Sequence, residues 1–169
     1  MSVLEKECID NAIIVGHSFG GRVAMEITAK FPDVVKGLVL VDSAGLKPRR
    51  KPSCYIKIAI HKLLKKFGMT GLKGSKDYQV LSLIMKETFK NVVGYDQTCL
   101  LKDIKVPTAI FWGKDDKDTP FYMAKKLKKG IANSELFILQ GGHYAYVDDL
   151  YKFESILSAF IVQVGEQCL

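Results

Sequence analysis

Four short, unbroken apolar runs punctuate the chain, and between them apolar residues recur at helical spacing. Ala12-Ile13-Ile14-Val15 ends at Gly16, and Gly37-Leu38-Val39-Leu40-Val41 is closed by Asp42. Val106-Pro107-Thr108-Ala109-Ile110-Phe111-Trp112 carries its proline near the start, where a ladder donor can be spared. Leu136-Phe137-Ile138-Leu139 completes the set. Runs of this length without polar alternation predict parallel strands covered on both faces. From Gly20 to Phe31 the apolar positions Val23, Ala24, Ile27 and Phe31 repeat at helical spacing, and Pro32 marks the end. Tyr122 to Lys129 and Val147 to Val164 read as further helices, the second amphipathic. Strand–helix–strand at these lengths means right-handed βαβ crossovers.

The texture changes between Leu46 and Leu101. Pro48, Arg49-Arg50-Lys51 and Pro52 break the rhythm, and a cationic amphipathic helix is expected to follow, with Ile56, Ile60, Leu63, Leu64 and Phe67 on one face. Gly68, Gly71 and Gly74 mark a loop, and Asp77 is placed to cap another helix running to about Val93. The expected organisation is one domain of α/β class. Its core is a parallel sheet of about four strands with flanking helices, drawn from residues 1–45 and 101–169, with a helical insertion at 46–100. There is no internal repeat and no low-complexity tract.

Composition narrows the class. The chain has 169 residues and 48% hydrophobic content, enough for a core, with an ordinary 25% charged. No apolar run approaches the roughly 18 residues of a membrane span, and the start MSVLEKECID shows no secretory pattern. Cys8, Cys54, Cys99 and Cys168 stand far apart without a CxxC pair, which reads as free thiols in a reducing cytoplasm. The net charge is +7, but between Asp42 and Asp77 there are ten bases and no acid, leaving 15 bases against 18 acids elsewhere. The basicity therefore belongs to the insertion. A solvated outer helix face accounts for it, or steering of an anionic substrate, and the aromatic interleaving of a single-strand binder is absent. No nucleic-acid partner is expected; a basic nucleic-acid or anionic-membrane site is the lesser reading.

Gly16-His17-Ser18-Phe19-Gly20-Gly21 stands where a strand turns into a helix, the context a G-x-S-x-G nucleophile elbow requires. The turn places Ser18 in a strained conformation, so Gly16 and Gly20 are expected to lack side chains for closure. The bland alternative is a glycine-rich turn that only packs tightly. A serine nucleophile needs a base, and the base an orienting acid. His143, in Gln140-Gly141-Gly142-His143-Tyr144, directly follows the last strand, where such sheets build their sites. His17 and Tyr144 are candidates for the pocket wall, and His61 falls on the polar face of the cationic helix. For the acid, Asp115, Asp116 and Asp118 compete in the segment after Trp112, with Asp42 a lesser candidate at another strand end.

Taken together, GHSFGG, VDSAG, WGKDDKDTP and GGHYAYVDD, in this order across nearly the whole chain, resemble the α/β-hydrolase fold family. The resemblance implies Ser18 as nucleophile and His143 as base. It favours Asp116 as acid, three residues after the WG glycine and four before the proline. It implies the Phe19 N–H as one oxyanion donor, and residues 46–100 as a cap that shapes substrate choice. The implied activity is serine hydrolysis of a carboxylic ester, thioester or related small acyl compound, with no metal or organic cofactor. Hydrolysis and acyl transfer are left open.

The elbow strand begins about ten residues from Met1, whereas the family pattern carries four further strands and an HG-type loop before it. The expectation is a truncated form whose missing part would pair with Ala12–Val15. That edge is then open to a complementing N-terminal half or to a second copy in a homodimer. The alternative is a catalytically inactive remnant serving as a binding or interaction protein.

Overall fold

In the computed structural model, residues 2–47 and 94–166 are described. They hold one compact unit, drawn from residues 1–46 and 96–169; the second unit, 47–95, lies almost wholly outside the described residues, as do the cap helices expected at 56–67 and 77–93.

Four strands, β1 (Ala12–His17), β2 (Val35–Val41), β3 (Thr108–Gly113) and β4 (Ser134–Leu139), form one sheet in the order β1-β2-β3-β4. All three pairings are parallel, with Gly16 opposite Leu40, Leu40 opposite Ile110, and Ile110 opposite Leu136. The central strands β2 and β3 are the most apolar in sequence and the most buried, as a sheet covered on both faces demands. Leu38, Leu40, Ile110 and Trp112 face one side and pack against Ala24 and Met25 of α2 (Phe19–Lys30) and Ala124 and Leu127 of α3 (Tyr122–Gly130). Val39, Val41, Ala109 and Phe111 face the other, against Phe153, Ile156, Leu157 and Phe160 of α5 (Leu150–Glu166). Those four lie three or four positions apart, one face of a helix. Each fully buried aliphatic side chain of this kind is worth about 1.5–3 kcal/mol relative to exposure.

The edges differ from the centre. On β1, Val15 is 54% exposed, while Ile13 and Ile14 are half-buried. Among the described residues no helix is long and apolar enough to cross a membrane. Cys8 and Cys99 are free and exposed.

Among the described residues the strands and α-helices fall close to where the periodicity puts them, and three departures bear on the site and its supports. A five-residue helix, α1 (Ser2–Lys6), precedes β1 where no element is expected, and it closes at Cys8 with φ +53°. Strand β3 starts after Pro107 rather than before it, because proline has no N–H to give the ladder. The closing helix is two helices, α4 (Ala145–Asp148) and α5, broken at Asp149, whose φ is −120° and ψ 47°. There the Asp149 carbonyl accepts from Phe153 N–H while its carboxylate accepts the Gln140 N–H.

Candidate active site

All four strands deliver a polar residue to the same, C-terminal, edge of the sheet: Ser18 after β1, Asp42 after β2, Asp116 after β3 and His143 after β4. Ser18 sits at φ 51° and ψ −116°, a left-handed backbone that a non-glycine residue rarely adopts. Its backbone is tied down on both sides: the N–H donates to Val41, and the carbonyl accepts from Gly21 and Ala44.

Close approach explains two glycines of the elbow and corrects the expectation for a third. A Cβ at Gly16 would lie 2.7 Å from the Gly20 carbonyl oxygen, so this position admits no side chain. Gly20 is different: a Cβ there would meet nothing within 4 Å, and closure of the turn uses its backbone rather than its bareness. The second constrained glycine is Gly21, where a Cβ would collide with the Ser43 hydroxyl and the start of α2 could not approach the segment after β2. The doubled glycine in GHSFGG carried that signal unread.

Ser18, His143 and Asp116 form one hydrogen-bonded series. The Ser18 hydroxyl lies 2.9 Å from His143 Nε2, and His143 Nδ1 lies 2.9 Å from Asp116 Oδ2. An ionised carboxylate only accepts, so Nδ1 carries the hydrogen and Nε2 is left to accept from Ser18. Asp116 is buried; Asp115 and Asp118 are exposed. Asp116 Oδ1 accepts the N–H groups of Asp118 (2.8 Å) and Thr119 (3.0 Å), and Oδ2 the Thr119 hydroxyl (2.5 Å). Burial pushes the Asp116 carboxyl up, but His143, the Thr119 hydroxyl and the two N–H groups outweigh it and hold it below the ordinary carboxylate value. Thr119 is fixed in turn by the Trp112 indole N–H, which donates to its carbonyl at 2.9 Å.

His17 braces the histidine turn: its Nε2 is 2.8 Å from the His143 carbonyl oxygen, and its ring packs against Tyr144 and Tyr146. Tyr144 itself is 59% exposed beside His143. Phe19 follows Ser18 in the chain and is the first residue of α2, where a helix leaves its backbone N–H groups without an intrahelical acceptor. His61 lies outside the described residues.

Asp42 is more closely involved than its place at a strand end suggested. It is fully buried with φ +42°, and burial, reinforced by the neighbouring Asp116 carboxylate, pushes its carboxyl up to about 7 against the Gly113 N–H and His143. Asp116, Asp118 and His143 also offer ligand atoms within 4.8 Å of one another, the spacing of a cation site. Two of these atoms already face each other in the His143–Asp116 bond, an acid–base arrangement rather than a splayed ligand set.

A parallel sheet covered by helices, with a strained serine at a strand–helix turn and a histidine and aspartate from later strand ends, defines a class of protein. A family profile for the α/β hydrolase fold matches residues 3–69. The AB hydrolase superfamily protein YisY of Bacillus subtilis is 27% identical, the match covering 90% of this chain and 67% of YisY. The 2-hydroxy-6-oxononadienedioate/2-hydroxy-6-oxononatrienedioate hydrolase of a Pseudomonas species is 24% identical, covering 95% of this chain and 66% of the relative. Among solved structures, the α/β hydrolase MGS-MChE2 from a Mar Chica lagoon sediment metagenome superposes with a TM-score of 0.69 at 23% identity, over 96% of this chain and 66% of that one. The chain shares the α/β-hydrolase fold with these proteins. It spans about two thirds of the length of these relatives.

Proposed function

We propose that this chain carries the catalytic machinery of a serine hydrolase acting on a carboxylic ester, thioester or related small acyl compound. The observation that supports this best is the continuous hydrogen-bonded series Ser18–His143–Asp116, with nucleophile-to-base and base-to-acid distances both 2.9 Å. In this reading the Ser18 oxygen attacks the substrate carbonyl carbon while His143 Nε2 takes its proton, and the Asp116 carboxylate stabilises the resulting imidazolium. The tetrahedral oxyanion accepts a hydrogen bond from the Phe19 N–H, at the positive end of α2. His143 returns the proton to the leaving group, and the acyl–serine ester is then cleaved by water that the same imidazole deprotonates.

Kinship supports the hydrolase class, since the Pseudomonas relative is named as a hydrolase of an oxo-dienedioate. In this reading the exposed Tyr144 ring, packed against His17 and His143, forms part of the wall that the acyl group meets. Turnover of p-nitrophenyl acetate by the wild type and by Ser18→Ala and His143→Ala tests the proposal. Loss of at least about 10³-fold in both variants is expected. Turnover that Ser18→Ala leaves unchanged would reject catalysis by this serine and favour a binding role for the fold.

A further inference from the structure

Asp42 grips both ends of the segment that presents Asp116. Its own N–H donates to the Phe111 carbonyl at 3.0 Å, and its Oδ1 accepts the N–H of Gly113, the last residue of β3, at 2.7 Å. Its carbonyl lies 3.1 Å from the Thr119 hydroxyl, which directs its single hydrogen either there or to Asp116 Oδ2. Gly113 and Thr119 bracket Asp116, so the backbone and one carboxyl oxygen of Asp42 set where the segment begins and ends.

The other carboxyl oxygen, Oδ2, is buried and has no hydrogen-bond partner among the described residues. Burying a charged carboxylate oxygen with no donor costs far more than burying the neutral acid, which carries no net charge. The titratable groups acting on this carboxyl are Asp116, from the segment after β3, and His143, from the turn after β4. Two carboxyls in one dry site do not both ionise readily, and Asp116 already carries three N–H donors, with the Thr119 hydroxyl within reach as a fourth.

We infer that Asp42 is a positioning residue of the triad: as a neutral carboxyl it holds the Gly113–Thr119 segment in place, and when ionised it adds a second negative charge behind His143. The proton passes to bulk water. The direction of the effect follows from Coulomb's law: a negative Asp42 stabilises the imidazolium and makes His143 more basic. The raised carboxyl of Asp42 puts that change near neutral pH. The catalytic consequence rests on the triad proposed above, but the effect on the imidazole does not.

Asparagine at position 42 separates charge from shape. It keeps the Oδ1 acceptor, supplies N–H where the acid has O–H, and tolerates the left-handed backbone at φ +42°. The experiment is a histidine NMR titration of the full chain, wild type against Asp42→Asn, with the His143 resonance identified by its loss in His143→Gln. The wild-type His143 resonance is expected to respond to the ionisation of Asp42 as well as to its own, giving a curve of two steps. In Asp42→Asn a single step is expected, with its midpoint lowered by about 0.5–1 pH unit. A His143 midpoint unmoved by the substitution overturns the inference. If Asp42→Asn does not fold, the wild-type curve decides alone: two steps sustain the inference and one step overturns it. Where the enzyme turns over ester, the acidic limb of kcat/KM moves down with the imidazole while kcat at its plateau stays within about tenfold; a plateau loss with the limb unmoved overturns it. A chain without ester turnover refutes the hydrolase reading and leaves the imidazole titration standing as the test of Asp42.

Discussion

Replacing Asp42 with Asn also changes how the stability of the fold depends on pH. In the folded chain, burial above all pushes this carboxyl from 3.8 up to about 7. In the unfolded chain it titrates near its ordinary value. Between those two values folding retains a proton that the unfolded chain has released, so the unfolded state gains on the folded one as pH rises. The contribution is therefore fully present below about pH 4, is lost as pH rises to 7, and is level above. A shift of about three units at about 1.4 kcal/mol each gives a swing of roughly 4 kcal/mol. Asn at the same place has no such proton. The assay is urea denaturation of both proteins at several pH values from about 5 to 8. The stability of the wild type minus that of Asp42→Asn should fall by about 1.4 kcal/mol per pH unit up to about pH 7 and then flatten. A difference that is constant across the range would refute the reasoning, because it means Asp42 is already a carboxylate in both the folded and the unfolded chain.

Other expectations follow from single contacts. Gly21→Ala should cost about 1–3 kcal/mol by driving a methyl into Ser43, and Ser43→Gly should restore much of that loss, read as coupling in a double-mutant cycle of urea midpoints. Trp112→Phe removes the indole donor to Thr119 and leaves a buried carbonyl unpaired, a loss of about 1–3 kcal/mol followed by circular dichroism because the chain has one tryptophan. Asp116→Asn should lower kcat by about 10⁴-fold with little change in KM, since the imidazole loses both its orientation and its counter-charge.

The strands were legible because β2 and β3 are buried on both faces, and nothing but an apolar run serves there. Their neighbour α5 was legible as a helix, but its break at Asp149 was not, because a single residue with ψ 47° leaves the apolar spacing intact. Within the site, Ser18 and His143 followed from the elbow and the strand-end rule. The choice among three aspartates came from a family spacing, and in the structure it is Asp116 that reaches His143, with its carboxylate buried and its neighbours' exposed. Gly20 was misjudged because sequence spacing says nothing about which side of a helix start faces solvent. The contacts of Asp42 with Gly113 and Thr119 are not legible in the sequence for a related reason: those residues lie more than seventy positions away, and only the parallel register of β2 and β3 brings them alongside.

The most direct test of the central claim is covalent labelling of the folded chain with a fluorophosphonate, the site read by peptide mass spectrometry. An adduct on the Ser18 hydroxyl that disappears in His143→Ala is the predicted result, because only a serine whose proton His143 accepts is nucleophilic enough to displace the leaving group from phosphorus. No adduct on Ser18 in folded protein, or an equal adduct without His143, would contradict it.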